Sequence, residues 1–272
     1  MGESGHIVWP GPAERIWELT WNLPDAPDQE GITISQARYR GHGAIYKASV
    51  PLLRVQYAGA CGPYRIPLNY NSTRYADYTM PITFDLGRHK IWEVEQRWVF
   101  WEDGEVFARI NGLTFDHCAS DRRYHAYFRF DFDIDTAGNN LALEYNSTTC
   151  DLGWGRGWHG KATETSRVRN RDSNRSWLVL NKASRRGYHV VAPGSSGPAD
   201  AFANRDVWVV RYHGQEDLHG NQGSAYADDL QNLVNGEDVD GKDVVIWYCH
   251  HHTPRWNDQR GGPNLQVVGN WT

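Results

Sequence analysis

Apolar and polar side chains alternate along most of this chain with a period of two. Runs such as ITISQARYR, AIYKASVPLLRVQYA, KIWEVEQRWVFW, EVFARINGLTF, HAYFRFDFDI, NLALEYN, SWLVLNK, GYHVVA, VWVVRYH and DVVIWYC alternate or are rich in β-branched and aromatic residues. Gly, Asn, Asp or Pro separates most of them, and the combination predicts strands. In WEDGEVF, Asp103-Gly104 sits between two such runs, which predicts a hairpin with a positive φ at its turn. Helical periodicity is nearly absent; GSAYADDLQNLVNG is the best candidate, and it is short. Many closely spaced strands with turn signals imply an all-β fold, a large antiparallel β-sandwich. The lack of a fixed-period repeat argues against a propeller. No linker divides the chain, so residues 1–272 are expected to form a single domain.

Composition narrows the function classes. A net charge of −5 argues against a nucleic-acid or anionic-membrane surface as partner. Arg167, Arg169, Arg171 and Arg175 cluster, but Asp172 interrupts them, and a solvated loop is expected. Thirteen tryptophans and fourteen tyrosines suit strands and supply amphipathic walls for a pocket. Cys61, Cys118, Cys150 and Cys249 lie far apart with no Cys-x-x-Cys, which excludes a zinc ribbon and leaves pairing open. No apolar run approaches the length of a membrane span. MGESGHIVWPGP lacks the basic-then-apolar order of a signal peptide, so a cytoplasmic protein is expected, although sequons at Asn71, Asn146, Asn174 and Asn270 would fit secretion.

Two segments carry candidate chemistry. FRFDFDIDTAGNN places Asp131, Asp133 and Asp135 at alternate positions, which in a strand means one face. Three like charges on one face call for a neutralising partner, and a hard cation such as Ca²⁺ is one; a solvent-facing edge is the other. DVVIWYCHHHTPRWND ends a strand-like run in three histidines, His250 to His252, readable either as a metal site or as a wet loop after the strand.

These segments, in this order, resemble the copper-dependent amine oxidases. YFRFDFDIDTAGNN is similar to that family's RLDxDxDG.NN segment, and GITISQARYRGHGAIYKASVPLLRVQYAG to its GLxLxDVxYxGRxVLYRASLxEMxVPYG. VWVVRYHGQEDLHGNQG with VNGEDVDGKDVVIWYCHHHTPRWND resembles the family's WVTxYxxxELxAxGxxxNQS and NxDIVVWYTLGxHHxPRxED. RWVFWEDGEVFARINGL is similar to the strand pair after the family's cofactor tyrosine. The resemblance implies the large catalytic supersandwich, shortened between Tyr57 and Arg97, without the family's small N-terminal domains, and a homodimer. It also implies a peripheral calcium site formed by Asp131, the Phe132 carbonyl, Asp133, Asp243 and the Val244 carbonyl.

The redox machinery departs from the family's pattern. Counting back from WVF puts Trp92 where the family has the tyrosine that becomes topaquinone, and an indole cannot follow that chemistry. The family's His-x-His copper ligands fall on Arg122 and Tyr124, and the third on His252; His251 matches the neighbouring histidine. His125 is one residue out of step, and one step in a strand points to the opposite face. A lone imidazole does not make a copper site, so copper and topaquinone are expected to be absent. The expectation is instead a metal-free cavity with an imidazole titrating near neutral pH.

The family's catalytic aspartate has a short, displaced match in RYADYTM at Asp77. The candidate catalytic residues are therefore His252, Asp77 and Arg122, with Trp92, Tyr124 and His251 contacting a small-molecule substrate. The resulting expectation is non-redox chemistry, an isomerisation or cyclisation by acid/base and shape. Two alternatives stand beside it: a non-catalytic binding or dimerisation module, and an active oxidase in which His125 or His250 turns inward as a replacement ligand.

Overall fold

The period-two runs become strands in a computed structural model that describes residues 3–23, 32–57, 64–66, 76–77, 83–91, 94–111, 122–146, 157–169, 175–193, 196–199, 203–214, 230–252 and 261–272. In chain order the first strands are β1 (Glu3–Gly11), β2 (Glu14–Leu23), β3 (Thr33–Tyr39), β4 (His42–Tyr57), β5 (Tyr64–Ile66) and β6 (Ala76–Asp77). Next come β7 (Thr83–Ile91), β8 (Val94–Trp101), β9 (Val106–Asn111), β10 (Arg122–Phe132), β11 (Asn140–Tyr145) and β12 (Trp158–Gly160). The last six are β13 (Thr165–Arg167), β14 (Ser176–Asn181), β15 (Gly187–Val191), β16 (Val207–Arg211), β17 (Val244–His252) and β18 (Asn264–Val268).

Among the described residues these strands form two nine-stranded antiparallel sheets. The first runs β1-β2-β3-β4-β10-β17-β16-β13, with β5 on β4; the second runs β12-β11-β14-β15-β18-β9-β8-β7-β6. The β1–β2 hairpin was not among the expected strands, although its signal was present. Ile7 and Trp9, and across from them Trp17, Leu19 and Trp21, alternate inward at period two and are buried. KIWEVEQRWVFW is two strands rather than one, because Ile91 pairs with Val94 across a reversal. The turn at Asp103-Gly104 forms as expected: Gly104 has φ 93°, and Asp103 Oδ1 accepts from the Glu105 amide at 3.1 Å. Of the helical candidate, the described part is one short 3-10 turn, Leu230–Leu233. Among the described residues no helix is long and apolar enough to cross a membrane.

Alternation on β10 sets the core. Phe128, Phe130 and Phe132 face the second sheet and stack in a row, with ring centroids 6.5 Å and 6.1 Å apart, and Phe132 continues onto Tyr188 at 6.0 Å. Trp98 of β8 meets Phe130 edge-on at 6.2 Å, joining the two sheets. The opposite face of β10 and β17 is buried too. Tyr127, Val245, Trp247 and Cys249 pack with Trp208, Ala203, Leu230 and Leu233 in a second, smaller core. Two neighbouring central strands are thus covered on both faces, which is why DVVIWYC reads as almost continuously apolar.

The described arginines only partly behave as a solvated cluster: Arg167 is exposed on β13, while Arg169 and Arg175 hold specific partners. Arg175 pairs with the buried carboxylate of Glu144 at 2.8 Å, joined by Lys161, and Arg169 donates to the Pro193 carbonyl at 2.7 Å. Arg171 lies outside the described residues.

Candidate functional site: two faces of a histidine strand

The three histidines are not a loop after the strand. β17 continues through His252, paired residue for residue with β10: Cys249 opposite Tyr127, His250 opposite Ala126, His251 opposite His125, and His252 opposite Tyr124. All nine residues of β17 are buried. Because successive side chains point to opposite faces, the run splits. His250 and His252 join the inward face of Tyr248 and the phenylalanine row. His251 joins the outward face of Cys249 and Trp247.

On the inward face the rings of His250 and His252 meet edge-on at 4.3 Å. Gly261, bridged to Ile110 of β9 by two backbone hydrogen bonds of 2.7 and 3.0 Å, lies directly on them. A Cβ added at Gly261 would collide with the His252 ring and come within 2.6 Å of His250 Cδ2, so this close approach requires glycine. Both His250 nitrogens and His252 Nε2 are buried without a hydrogen-bond partner among the described residues. Burial, followed by the neighbouring imidazoles of His125 and His251, pushes His252 down to about 3. Burial, then His252 and His251, pushes His250 well below the usual histidine range. The expected imidazole titrating near neutral pH is therefore corrected: His252 is neutral across that range, because among the described residues nothing anionic offsets its desolvation.

On the outward face the environment is polar and closed. His251 Nδ1 lies 2.9 Å from His125 Nδ1 and 3.8 Å from Cys249 Sγ, while His251 Nε2 lies 3.2 Å from Asp206 Oδ1. Ser196 Oγ accepts from the His251 amide at 3.3 Å, the Gly197 amide donates to the His251 carbonyl at 2.7 Å, and the Cys249 amide donates to the Asp206 carbonyl at 2.7 Å. Burial alone would lower His251, but the Cys249 and Asp206 charges and hydrogen bonds overcome it and hold the imidazole at about 10. Cys249 is a free, buried thiol.

The structure divides the residues singled out from the sequence. Tyr124 and His252 face each other on the inward side; His251, expected beside them, points the other way. Arg122 opens β10 two residues before Tyr124. Asp77 lies in β6, at the edge of the second sheet, opposite Asp85. Trp92 lies outside the described residues. Of the two histidines able to replace a copper ligand, His250 is inward and His125 is outward. The three-histidine donor set that copper takes in the resembling family is not matched: a phenol and one imidazole stand at register-paired positions, and the alternative imidazole of His125 is on the wrong face. The sequence reading missed Cys249 and Asp206 as partners of His251. The alternation of Cys249 and His251 was a visible signal, but Asp206 comes from a distant segment that only folding brings near.

The carboxylate group forms with one substitution. Asp131, Asp133 and Asp243 bring an oxygen each within 4.8 Å of one another, with Asp131 fully buried and the other two half-buried. Asp135 departs, against the one-face expectation. The strand ends at Phe132, Asp135 turns to φ 61°, and its carboxylate pairs with Arg186 at 2.9 Å and His42 at 3.2 Å. Burial raises Asp133 above the usual carboxylate range. The spacing fits a Ca²⁺ ion, whose ligands at 2.3–2.6 Å leave oxygens up to about 5 Å apart. Arg129 at 3.3 Å from Asp131, and Lys47 across the strand pair, supply positive charge to the same place. The Phe132 carbonyl accepts from Asn140 at 3.2 Å.

No family model matches this chain. Its fold does match solved structures. An amine oxidase of Aspergillus nidulans superposes with a TM-score of 0.65 at 13% identity, over 93% of this chain and 51% of that one. A copper-containing benzylamine oxidase from Hansenula polymorpha gives 0.63 at 16% identity, over 93% and 59%. A lysyl oxidase of Pichia pastoris gives 0.63 at 12%, over 98% and 54%. The chain thus has the β-sandwich fold of the copper amine oxidases, over somewhat more than half the length of the proteins it matches.

Proposed function

We propose that this chain is an amine-oxidase-like sandwich turned to non-redox chemistry, binding a small organic molecule at the inward ends of β10 and β17 and moving a proton on it, as an isomerase or cyclase does. The observation that carries this reading is the register pair Tyr124–His252, which stands where the resemblance places two copper ligands and offers only one imidazole. A neutral His252 presents a lone pair; buried as it is, it is a weak base whose proton must come from a strongly acidified O–H or C–H, and the Tyr124 phenol opposite donates a hydrogen bond. Arg122 supplies a fixed positive charge able to stabilise an enolate or phenolate. Asp77 and Trp92 complete the proposed base and wall, and His251 supports the strand from behind. Ca²⁺ at Asp131, Asp133, Asp243 and the Phe132 and Val244 carbonyls belongs to the same reading, as do a cytoplasmic location and a homodimer.

A second reading is favoured by one observation: His250 is already inward beside His252, its nitrogens without a hydrogen-bond partner among the described residues. It predicts a rebuilt metal site and a working oxidase.

The test is metal content by mass spectrometry on protein purified without chelators or added metal, with the visible spectrum and peroxide release on primary amines. No copper and no quinone absorption, together with small-molecule binding lost in His252→Ala, is expected. Stoichiometric copper with peroxide release overturns the first reading for the second. Absence of both redox activity and His252-dependent binding leaves a dimerisation or ligand-binding module.

A further inference from the structure

The outward face of β17 holds a convergence that the inward site does not use. His125, His251 and Cys249, from two adjacent strands, each bring one ligand atom within 4.8 Å of the others, and all three residues are buried. We propose that these three side chains form a structural site for one thiolate-binding transition-metal ion, with Zn²⁺ the ion it takes most readily.

The separations support it. Around a tetrahedral zinc, bond lengths of 2.0–2.1 Å to nitrogen and 2.3 Å to sulfur place two nitrogens about 3.3 Å apart, and nitrogen and sulfur about 3.6 Å apart. The observed 2.9 Å between the two Nδ1 atoms and 3.8 Å from His251 Nδ1 to Cys249 Sγ are each within about half an ångström of that geometry. Small χ rotations close the difference.

The surroundings support it independently. A metal-ligating histidine typically gives its other ring N–H to a carboxylate, which fixes the tautomer and turns the lone pair towards the metal. Asp206 forms an ion pair with His251 at 3.2 Å from its Nε2, close enough for a small ring rotation to make that bond. The carboxylate is itself oriented: the Arg169 amide donates to Asp206 Oδ2 at 2.6 Å, and the Asp206 amide donates to the Arg167 carbonyl at 3.0 Å. In the metal-free protein a proton sits between the two Nδ1 atoms. Uptake of M²⁺ displaces that proton to solvent, and Cys249 binds as its thiolate. Two imidazoles and a thiolate form a donor set for zinc or copper and not for calcium or magnesium. The covering segments close over it: Ser196 and Gly197 bond the His251 backbone, and Asp206 bonds that of Cys249. The ion would pin this outer layer to β17. The site lies on the opposite face of the sheet from His252, so it does not depend on the proposed proton transfer.

The experiment is a titration of the full chain, stripped of metal, with Co²⁺ and then Zn²⁺. The expected result is one Co²⁺ per chain with a thiolate-to-cobalt charge-transfer band in the near ultraviolet, displaced by one equivalent of Zn²⁺. Cys249→Ser should abolish the band, and Asp206→Asn should weaken affinity by about 10- to 100-fold while keeping the band. His252→Ala and Asp133→Asn should leave it unchanged. A band that persists in Cys249→Ser, or cobalt binding with no sulfur band, overturns the proposal. Should Cys249→Ser not fold, zinc-edge X-ray absorption of the unaltered protein decides: two imidazole nitrogens and one sulfur support the site, and a nitrogen–oxygen shell without sulfur overturns it.

Discussion

His252 and His251 are consecutive residues of one strand, both almost completely removed from water, and they are driven in opposite directions. His252 falls to about 3 and His251 rises to about 10. Burial acts on both with the same sign, so burial does not explain the difference. The partners do: among the described residues His252 meets a glycine backbone, aromatic rings and only the positive influence of neighbouring imidazoles, whereas His251 meets a carboxylate and a sulfur. A one-residue step along a strand exchanges one set for the other, and with it the charge the side chain carries.

The largest expected effect comes from removing the partner that holds the outward charge. Asp206→Ala leaves the His251 imidazolium buried without its counterion and should cost about 3–5 kcal/mol, read from urea unfolding at neutral pH. A loss below about 1 kcal/mol would mean that Asp206 does not hold that charge and would erase the contrast.

Acid titration tests the inward side. A histidine depressed from 6.5 in the unfolded chain contributes stability that is complete above that value and lost as pH falls towards about 3. For His252 this amounts to about 5 kcal/mol at most across the window. His252→Phe should flatten this acid limb in a series of denaturation curves. His251 has the opposite sign: its contribution is complete below 6.5 and fades as pH rises through about 10. The alkaline limb should therefore shrink in Asp206→Ala, which leaves the Cys249 contribution in place, and persist in His252→Phe.

Packing distinguishes the faces more mildly. Gly261→Ala drives a methyl into the His252 and His250 rings and should cost about 1–3 kcal/mol in thermal unfolding. It should shift the ring NMR signals of those two histidines while leaving His251 in place. The smallest effect is expected for Arg186→Ala, which removes a half-exposed partner of Asp135 and should change stability by less than about 1 kcal/mol. A larger loss there would mean that the Asp135 turn supports the carboxylate group beside it.

Much of the architecture could be read in advance because strand alternation is local. Phe128, Phe130 and Phe132 had to share a face, and the reversal at Asp103-Gly104 follows from the conformational freedom of its glycine. The split of the histidine run needed one further fact, that the strand does not stop at Cys249. Sequence did not supply it, because histidine is equally at home in a wet loop and in a covered strand. Asp135 was misplaced for a related reason: the period-two rule holds only while the strand lasts, and it ends at Phe132.

By itself the sequence determined, through its period-two alternation, that this is an all-β chain. That the carboxylates at 131, 133 and 243 belong together, and that Tyr124 and His252 occupy corresponding positions, was implied by the resemblance to the amine oxidases rather than by periodicity. Only the tertiary structure decided what each histidine meets. Gly261 reaches the inward pair from the far sheet, and Asp206 reaches His251 from a segment 45 residues earlier. Ionisation in a buried place is set by the groups within a few ångströms, and the chain brings those together only when it folds.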